Sequence, residues 1–259
     1  MTLEGKRIIV TGGVTGIGRA TTLACAREGA SVVSMSTAAP DRNRVTRIAD
    51  QIADGRTGRY LHIPCDIGDR SAVDAAFAEA TEWLGGLDGL VHSAGTQTIK
   101  PAEELTDEDI MSDLRVSTFG MVYANQAAYP HLKDEGGSIV NITSYVAIGG
   151  QEDLAAYGLA KGAVNGWSFV LAREWGKHMI RVNLMAPVVA TTGFQAWYEA
   201  QTPEDQRASD EGRKRTIALG GKMGNADDAA DVNVFLLSDL SRYLTGQIFY
   251  ADGGKAFGR

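Results

Sequence analysis

Short apolar runs recur along the chain, and the stretches between them carry helical spacing; this alternation restricts the fold more than any other feature. Arg7–Thr11, Ser31–Ser36, Arg59–Pro64, Gly89–His92, Ser138–Ile142, Arg181–Met185 and Gln247–Ala251 read as strands. Gly16–Glu28 (closed by Gly29), Val45–Ala53, Ser71–Leu84, Ala155–Trp175 and Val232–Leu237 read as helices between them. Another helix opens at Thr106, an N-cap followed by acid in the first turn, and runs towards Tyr129-Pro130. In Ser71–Leu84 the apolar residues Val73, Phe77, Ala80 and Leu84 recur at helical spacing. Strands separated by helices at this rhythm argue for an α/β fold, a parallel sheet with helices on both faces. One stretch breaks the rhythm, a loop of about 25 residues over Thr191–Thr216; a loop that long inside a compact domain is usually functional. With no internal repeat and no low-complexity linker, residues 1–259 read as one domain carrying an insertion at about 191–216.

Composition excludes several functional classes. Lys+Arg number 25 against 32 Asp+Glu, a net charge of −7, which makes nucleic acid a poor main partner. Cys25 and Cys65 form no disulfide framework, and with His62, His92, His131 and His178 they show no metal-ligand spacing. Both cysteines fit buried apolar positions, and a structural role is expected for His92. Met1–Lys6 enters a strand at once, leaving no room for a signal peptide, and no apolar run approaches a membrane span. A soluble, cytoplasmic protein is the expectation. The 31 glycines have no Gly-X-Y period, so they mark tight turns and close backbone approaches.

The first strand runs directly into Thr11-Gly12-Gly13-Val14-Thr15-Gly16-Ile17-Gly18 and then into a helix. Glycines at 12, 16 and 18 let backbone approach a pyrophosphate and let the helix pack tightly on the strand. The helix N-terminus adds unpaired N–H donors and the positive end of its dipole. Position between the first strand and first helix separates a dinucleotide turn from an ordinary connection.

Tyr157 and Lys161 stand four residues apart on a predicted helix, so both project from one face. A phenol ionises near pH 10 and is a poor base alone; a neighbouring cation is expected to lower that value. Ser144 follows the fifth strand at its carboxyl end, where open α/β sheets bind ligands. The three can act together: Tyr157 transfers a proton, Lys161 tunes it, and Ser144 holds the substrate oxygen.

Taken together these segments resemble the short-chain dehydrogenase/reductase family over essentially the whole chain. The match comprises Thr11–Gly18, Asp66, Ala94-Gly95, Ser144, Tyr157, Lys161, Pro187, Thr192, Thr245-Gly246-Gln247 and Asp252-Gly253-Gly254. The resemblance implies a seven-stranded, doubly wound Rossmann-type sheet in three α/β/α layers, usually assembled as a homotetramer. It implies an NAD(P) cofactor and interconversion of a secondary alcohol with a ketone or aldehyde. On that pattern Gly12, Thr15, Gly16, Ile17 and Gly18 hold the pyrophosphate, Asp66 with Ile67 the adenine, and Ser93, Ala94 and Gly95 the ribose. Tyr157 and Lys161 lie at the nicotinamide ribose, and Pro187, Ala190 and Thr192 at the carboxamide.

Three positions depart from the family pattern. His92-Ser93-Ala94-Gly95 replaces Asn-Asn-Ala-Gly, Pro187-Val188 replaces Pro-Gly, and Ser117 stands where the family carries its fourth catalytic residue, an asparagine. Cofactor choice turns on the end of the second strand. Acid there would repel a 2′-phosphate, but the position is Ser36, followed by Thr37, with no acid before Asp41 and with Arg42 and Arg44 nearby. Of the two cofactors, NADP is the expectation. Phe194, Trp197 and Tyr198 in the long insertion read either as a substrate-facing lid or as a subunit contact, and Glu204–Arg215 as a solvated charge run. The alternative to an enzyme is a catalytically impaired dinucleotide-binding regulatory or scaffold protein. A dehalogenase-like lyase is disfavoured by the retained Lys161 and phosphate turn.

Overall fold

A computed structural model describes residues 1–39, 42–55 and 58–256, the side chain of Thr192 excepted. The strands are β1 (Arg7–Thr11), β2 (Ser31–Ser36), β3 (Tyr60–Pro64), β4 (Gly89–His92), β5 (Gly137–Ile142), β6 (Ile180–Pro187) and β7 (Ile248–Ala251). They form one parallel sheet in the order β3-β2-β1-β4-β5-β6-β7. Because β1 lies between β2 and β4, the winding reverses there, and the carboxyl ends of β1 and β4 flank a crevice.

Helices cover both faces, so the strands are apolar on both sides. Ile8 and Val10 of β1 pack with α1 (Gly16–Arg27), α2 (Asn43–Gly55) and α10 (Ala226–Leu237). Ile9 packs on the other side with α3 (Arg70–Leu84), α5 (Gly120–Leu132) and α7 (Ala155–Glu174). This is the period-2 alternation of a strand buried between two helix layers. Cys25 and Cys65 lie in these layers, and burial pushes their thiols up to about 12 and about 11, so both remain protonated. Among the described residues no helix is long and apolar enough to cross a membrane, and no group of side chains could hold a metal ion.

The structure differs from the sequence expectation in two regions. The helix expected from Thr106 to Pro130 is divided into α4 (Asp107–Asp113), a π-helical turn over Leu114–Phe119, and α5. The extra residue in a π turn displaces side chains from the regular helical register, a distortion common at functional sites. The 191–216 stretch is not a loop but two helices, α8 (Thr192–Glu199) and α9 (Pro203–Thr216). Each has its own start signal. The Thr191 hydroxyl accepts from the N–H of Phe194, the Thr202 hydroxyl accepts from that of Asp205, and Pro203 occupies the first turn of α9. Helix α9 buries none of its residues, so it carries no apolar stripe by which periodicity could reveal it. A short helix α6 (Val146–Gly149) follows β5.

Candidate active site

A cleft of ≈ 740 Å³ opens at the carboxyl ends of β1, β4 and β5. Gly12, Thr15, Gly16 and Ile17 line one side; Ser36, Asp66, Ile67, Ser93, Ala94 and Gly95 line the floor and the β2–β3 end; Ser144, Tyr157, Lys161 and Pro187 line the opposite wall. Gly18 lies beneath the turn. A Cβ there would stand 2.2 Å from the Gly12 carbonyl oxygen, and one on Gly12 would stand 2.8 Å from the Ala94 nitrogen. The first helix is thus seated directly on the turn. Its N-cap, Thr15, makes no side-chain cap and its first turn carries no acid, leaving backbone N–H groups to face the cleft. The lining residues and this open cradle fit the diphosphate of a dinucleotide.

At the β2 end, the Ser36 hydroxyl accepts from the Ala38 N–H, and Ser36 and Thr37 both reach the cleft. His62 fixes this loop: its Nε2 donates to the Ala38 carbonyl at 2.9 Å and its Nδ1 bonds the Ser34 hydroxyl at 2.9 Å. Arg42 and Arg44 are exposed near the start of α2 and do not line the cleft, and Asp41 lies outside the described residues. Arg115 does line it, held at 3.1 Å by Asp66, whose other oxygen accepts from the Gly68 N–H. Neither His62 nor Arg115 was marked as functional by sequence spacing, because their partners are about 25 and 50 residues away in the chain.

The opposite wall depends on the register of α7 against β5. The Lys161 ammonium donates to the Ile142 carbonyl at 2.8 Å, the Thr143 hydroxyl donates to Asn165 at 2.6 Å, and the Thr118 hydroxyl donates to the Ala160 carbonyl at 3.0 Å. These bonds place Tyr157 beside Ser144, with the Lys161 ammonium 5.7 Å from the centre of the phenol ring. Thr118, Thr143 and Asn165 escaped the sequence reading. The available signal was polar residues on otherwise apolar, buried faces.

The electrostatics correct one expectation. Burial raises the Tyr157 phenol above its ordinary value; a hydrogen bond from Ser144 opposes this and the charge of Asp113 adds to it. The lowering expected from Lys161 does not govern the phenol. Burial in turn lowers Lys161 to about 8, opposed by Asp113. His92 is buried, bonded through Nδ1 to the Thr11 hydroxyl at 2.9 Å, and pushed down to about 3 by burial and then by the Lys161 charge. It stays neutral and cannot serve as an acid near neutrality.

Ala190 and the aromatic residues of the insertion lie apart from the cleft. The Ala190 N–H is taken by the Gly224 carbonyl at 2.8 Å, and the Thr192 side chain is outside the described residues. Thr191, not singled out from sequence, lines the cleft instead. Phe194, Trp197 and Tyr198 do not wall it. Phe194 packs on both other rings, Arg213 of α9 lies over Phe194 and Tyr198, and the Tyr198 hydroxyl donates to Asp210. In this arrangement the aromatics join α8 to α9. Ser117 is tied to the loop after β4: its hydroxyl accepts from the Thr96 N–H at 3.1 Å and donates to the Thr96 carbonyl at 3.2 Å.

A family model described as enoyl-(acyl carrier protein) reductase matches residues 12–256. The chain belongs to the short-chain dehydrogenase/reductase family and is an NAD(P)-dependent oxidoreductase. It is 31% identical to the 3-oxoacyl-(acyl-carrier-protein) reductase of Thermotoga maritima, covering 98% of this chain and 99% of that protein. It is 33% identical to the L-2,3-butanediol dehydrogenase of Corynebacterium glutamicum, covering 97% and 99%. Among solved structures, a short-chain dehydrogenase/reductase from Serratia marcescens superposes with a TM-score of 0.87 at 31% identity, covering 98% and 99%.

Proposed function

We propose that this protein interconverts a secondary alcohol and a ketone or aldehyde, with Tyr157 as general acid/base. The observation that carries this reading is the convergence of Ser144, Tyr157 and Lys161 on one wall of the cleft whose other wall is the Gly12–Gly18 turn. Bound NAD(P) supplies or accepts the hydride. Backbone of the glycine turn with Thr15 and Ile17 holds the diphosphate, Asp66 and Ile67 border the adenine, and Ser93–Gly95 border the ribose. Pro187, with Ala190 and Thr192, would border the carboxamide. Ser144 donates to the substrate oxygen and fixes it beside the phenol. Tyr157 gives that oxygen a proton in reduction and removes it in oxidation. Lys161 holds the ribose hydroxyls and the positive charge of the site. Ser117, in the asparagine position, serves the site by holding the Thr96 loop beside the cleft.

The relatives are named for oxygenated carbon centres, a 3-oxoacyl chain and a vicinal diol, which agrees with carbonyl–alcohol chemistry. Residues 1–259 act as one NAD(P)-binding domain, with the α8–α9 pair at 191–216, including Phe194, Trp197 and Tyr198, beside the substrate side of the cleft that Thr191 lines. Exposed Leu159, Phe169 and Val170 on α7 support contact between copies of the chain, read here as a homotetramer, and the net charge of −7 is in keeping with a cytoplasmic setting.

A panel of secondary alcohols and ketones assayed with both nicotinamide cofactors tests the activity. Turnover of at least one pair is the expected result. Normal dinucleotide binding with no turnover across the panel would favour the scaffold reading.

NADP(H) is the preferred cofactor on this reading, since Ser36 and Thr37 present hydroxyls and no carboxylate where the 2′-substituent lies. Fluorescence titration should give tighter binding of NADPH than of NADH. Equal or tighter binding of NADH overturns the preference.

A further inference from the structure

His62 of β3 is buried, and both of its ring nitrogens are engaged. Ser34 of β2 is its register partner in the neighbouring strand, and Tyr60 shares the same face of β3 two residues earlier. The three form one polar chain beside the apolar layer of α1 and α2. Tyr60 Oη lies 2.8 Å from Ser34 Oγ, Ser34 Oγ 2.9 Å from His62 Nδ1, and His62 Nε2 2.9 Å from the Ala38 carbonyl oxygen. A carbonyl oxygen only accepts, so Nε2 carries the hydrogen. Burial holds the imidazole pKa below its ordinary value, so the ring is neutral and Nδ1 accepts from the Ser34 hydroxyl. Ser34 in turn accepts from Tyr60. Every donor in the chain therefore points one way, and the last of them ends on Ala38.

This chain ties together the two parts of the cleft that border the adenosine half of a dinucleotide. At one end Ser34 abuts the glycine turn: a Cβ on Gly13 would stand 2.7 Å from the Ser34 Cβ. The Gly12 N–H donates to the carbonyl of Met35, next to Ser34, at 2.7 Å. At the other end Ala38 is held twice, its carbonyl by His62 and its N–H by Ser36 Oγ at 3.1 Å. Ser36 and Thr37 lie between these anchors and line the cleft. Among the described residues the Ser36 hydroxyl has no acceptor of its own, so its O–H is available to the cleft.

We infer that His62 is a positioning residue for cofactor discrimination: by holding Ala38 it presents the Ser36 and Thr37 hydroxyls to the ribose 2′-substituent, in fixed relation to the glycine turn. This inference rests on the NADP(H) reading. An ionised 2′-phosphate offers only acceptor oxygens, so it gains from donors held in place. A 2′-hydroxyl both donates and accepts, and it finds partners in more than one arrangement. Releasing Ala38 therefore weakens NADPH more than NADH.

The test compares two amides. His62→Gln carries its amide nitrogen to the Nε2 position and keeps the donor to Ala38. His62→Asn reaches only as far as Nδ1 and loses that donor. Fluorescence titration gives the dissociation constants of NADPH and NADH without any turnover. The ratio of the NADH constant to the NADPH constant should fall about fivefold in His62→Asn, the effect of one lost hydrogen bond. In His62→Gln it should stay within about twofold of the wild-type value. An unmoved ratio in His62→Asn overturns the inference. An equal change in the two variants also overturns it, because His62 would then be a packing residue. Tyr60→Phe removes the outer link of the chain and serves if the asparagine variant does not fold; the ratio should fall there too, and an unmoved ratio has the same meaning. Wild-type protein that binds NADH at least as tightly as NADPH defeats the cofactor reading itself, an outcome visible before any substitution is made.

Discussion

Replacing Tyr157 by Phe should lower turnover by about a thousandfold or more, the upper range for loss of a positioned acid/base, while cofactor affinity changes by no more than about twofold. The ring is retained, so its packing in the wall of the cleft survives; only the hydroxyl beside Ser144 is lost. The side chain is half-buried and faces the cleft, so removing its hydroxyl changes stability by about 1 kcal/mol or less. Lys161 keeps its bond to the Ile142 carbonyl in the variant, so the ribose side of the cleft is undisturbed. Steady-state rates, dinucleotide titration and a thermal melt on the same preparation separate the effects. A near-normal rate would remove Tyr157 from the chemistry. Equal losses of rate and cofactor affinity would make it a binding residue.

The reading of the fold from sequence rested on features that are local. The central strands are buried on both faces and read as short apolar runs; the expected bounds coincide with the structure at β1, β2 and β4 and shift by a residue or two at β3, β5, β6 and β7. Helix α9 was missed for the opposite physical reason. It is held by caps and by charge pairs such as Asp210–Arg213 and Glu211–Arg215, none of which produces an apolar period. In the cleft, residues bound to glycine turns or fixed helical spacings were legible. The residues that position them were not. Thr118 meets Ala160 because the π turn packs on α7, and Thr143 meets Asn165 because the end of β5 packs on the same helix, 42 and 22 positions away in the chain. Pairings of that kind depend on tertiary contact, which a single sequence does not display.

Gly18→Ala should abolish tight dinucleotide binding, weakening it at least about tenfold, and should lower stability by about 1–3 kcal/mol, the usual cost of an overpacked contact. Helix propensity alone predicts the reverse, because Gly18 lies in α1 and alanine gains about 1 kcal/mol over glycine in a helix. The steric effect wins because the added Cβ would stand 2.2 Å from the Gly12 oxygen and 2.8 Å from the Gly12 carbonyl carbon, both backbone atoms that no rotamer change can move aside. Relief requires α1 to lift from β1 or the turn to open, and either motion withdraws the helix N-terminus from the diphosphate. Gly212→Ala supplies the control. That glycine lies in α9 with nothing within 4 Å of an added Cβ, so there propensity acts alone and stability should rise by about 0.5–1 kcal/mol. Thermal melts with and without NADPH distinguish the two positions. The bound-minus-free increment in melting temperature should vanish in Gly18→Ala and persist in Gly212→Ala. If Gly18→Ala retains that increment in full, the turn is not where the diphosphate sits.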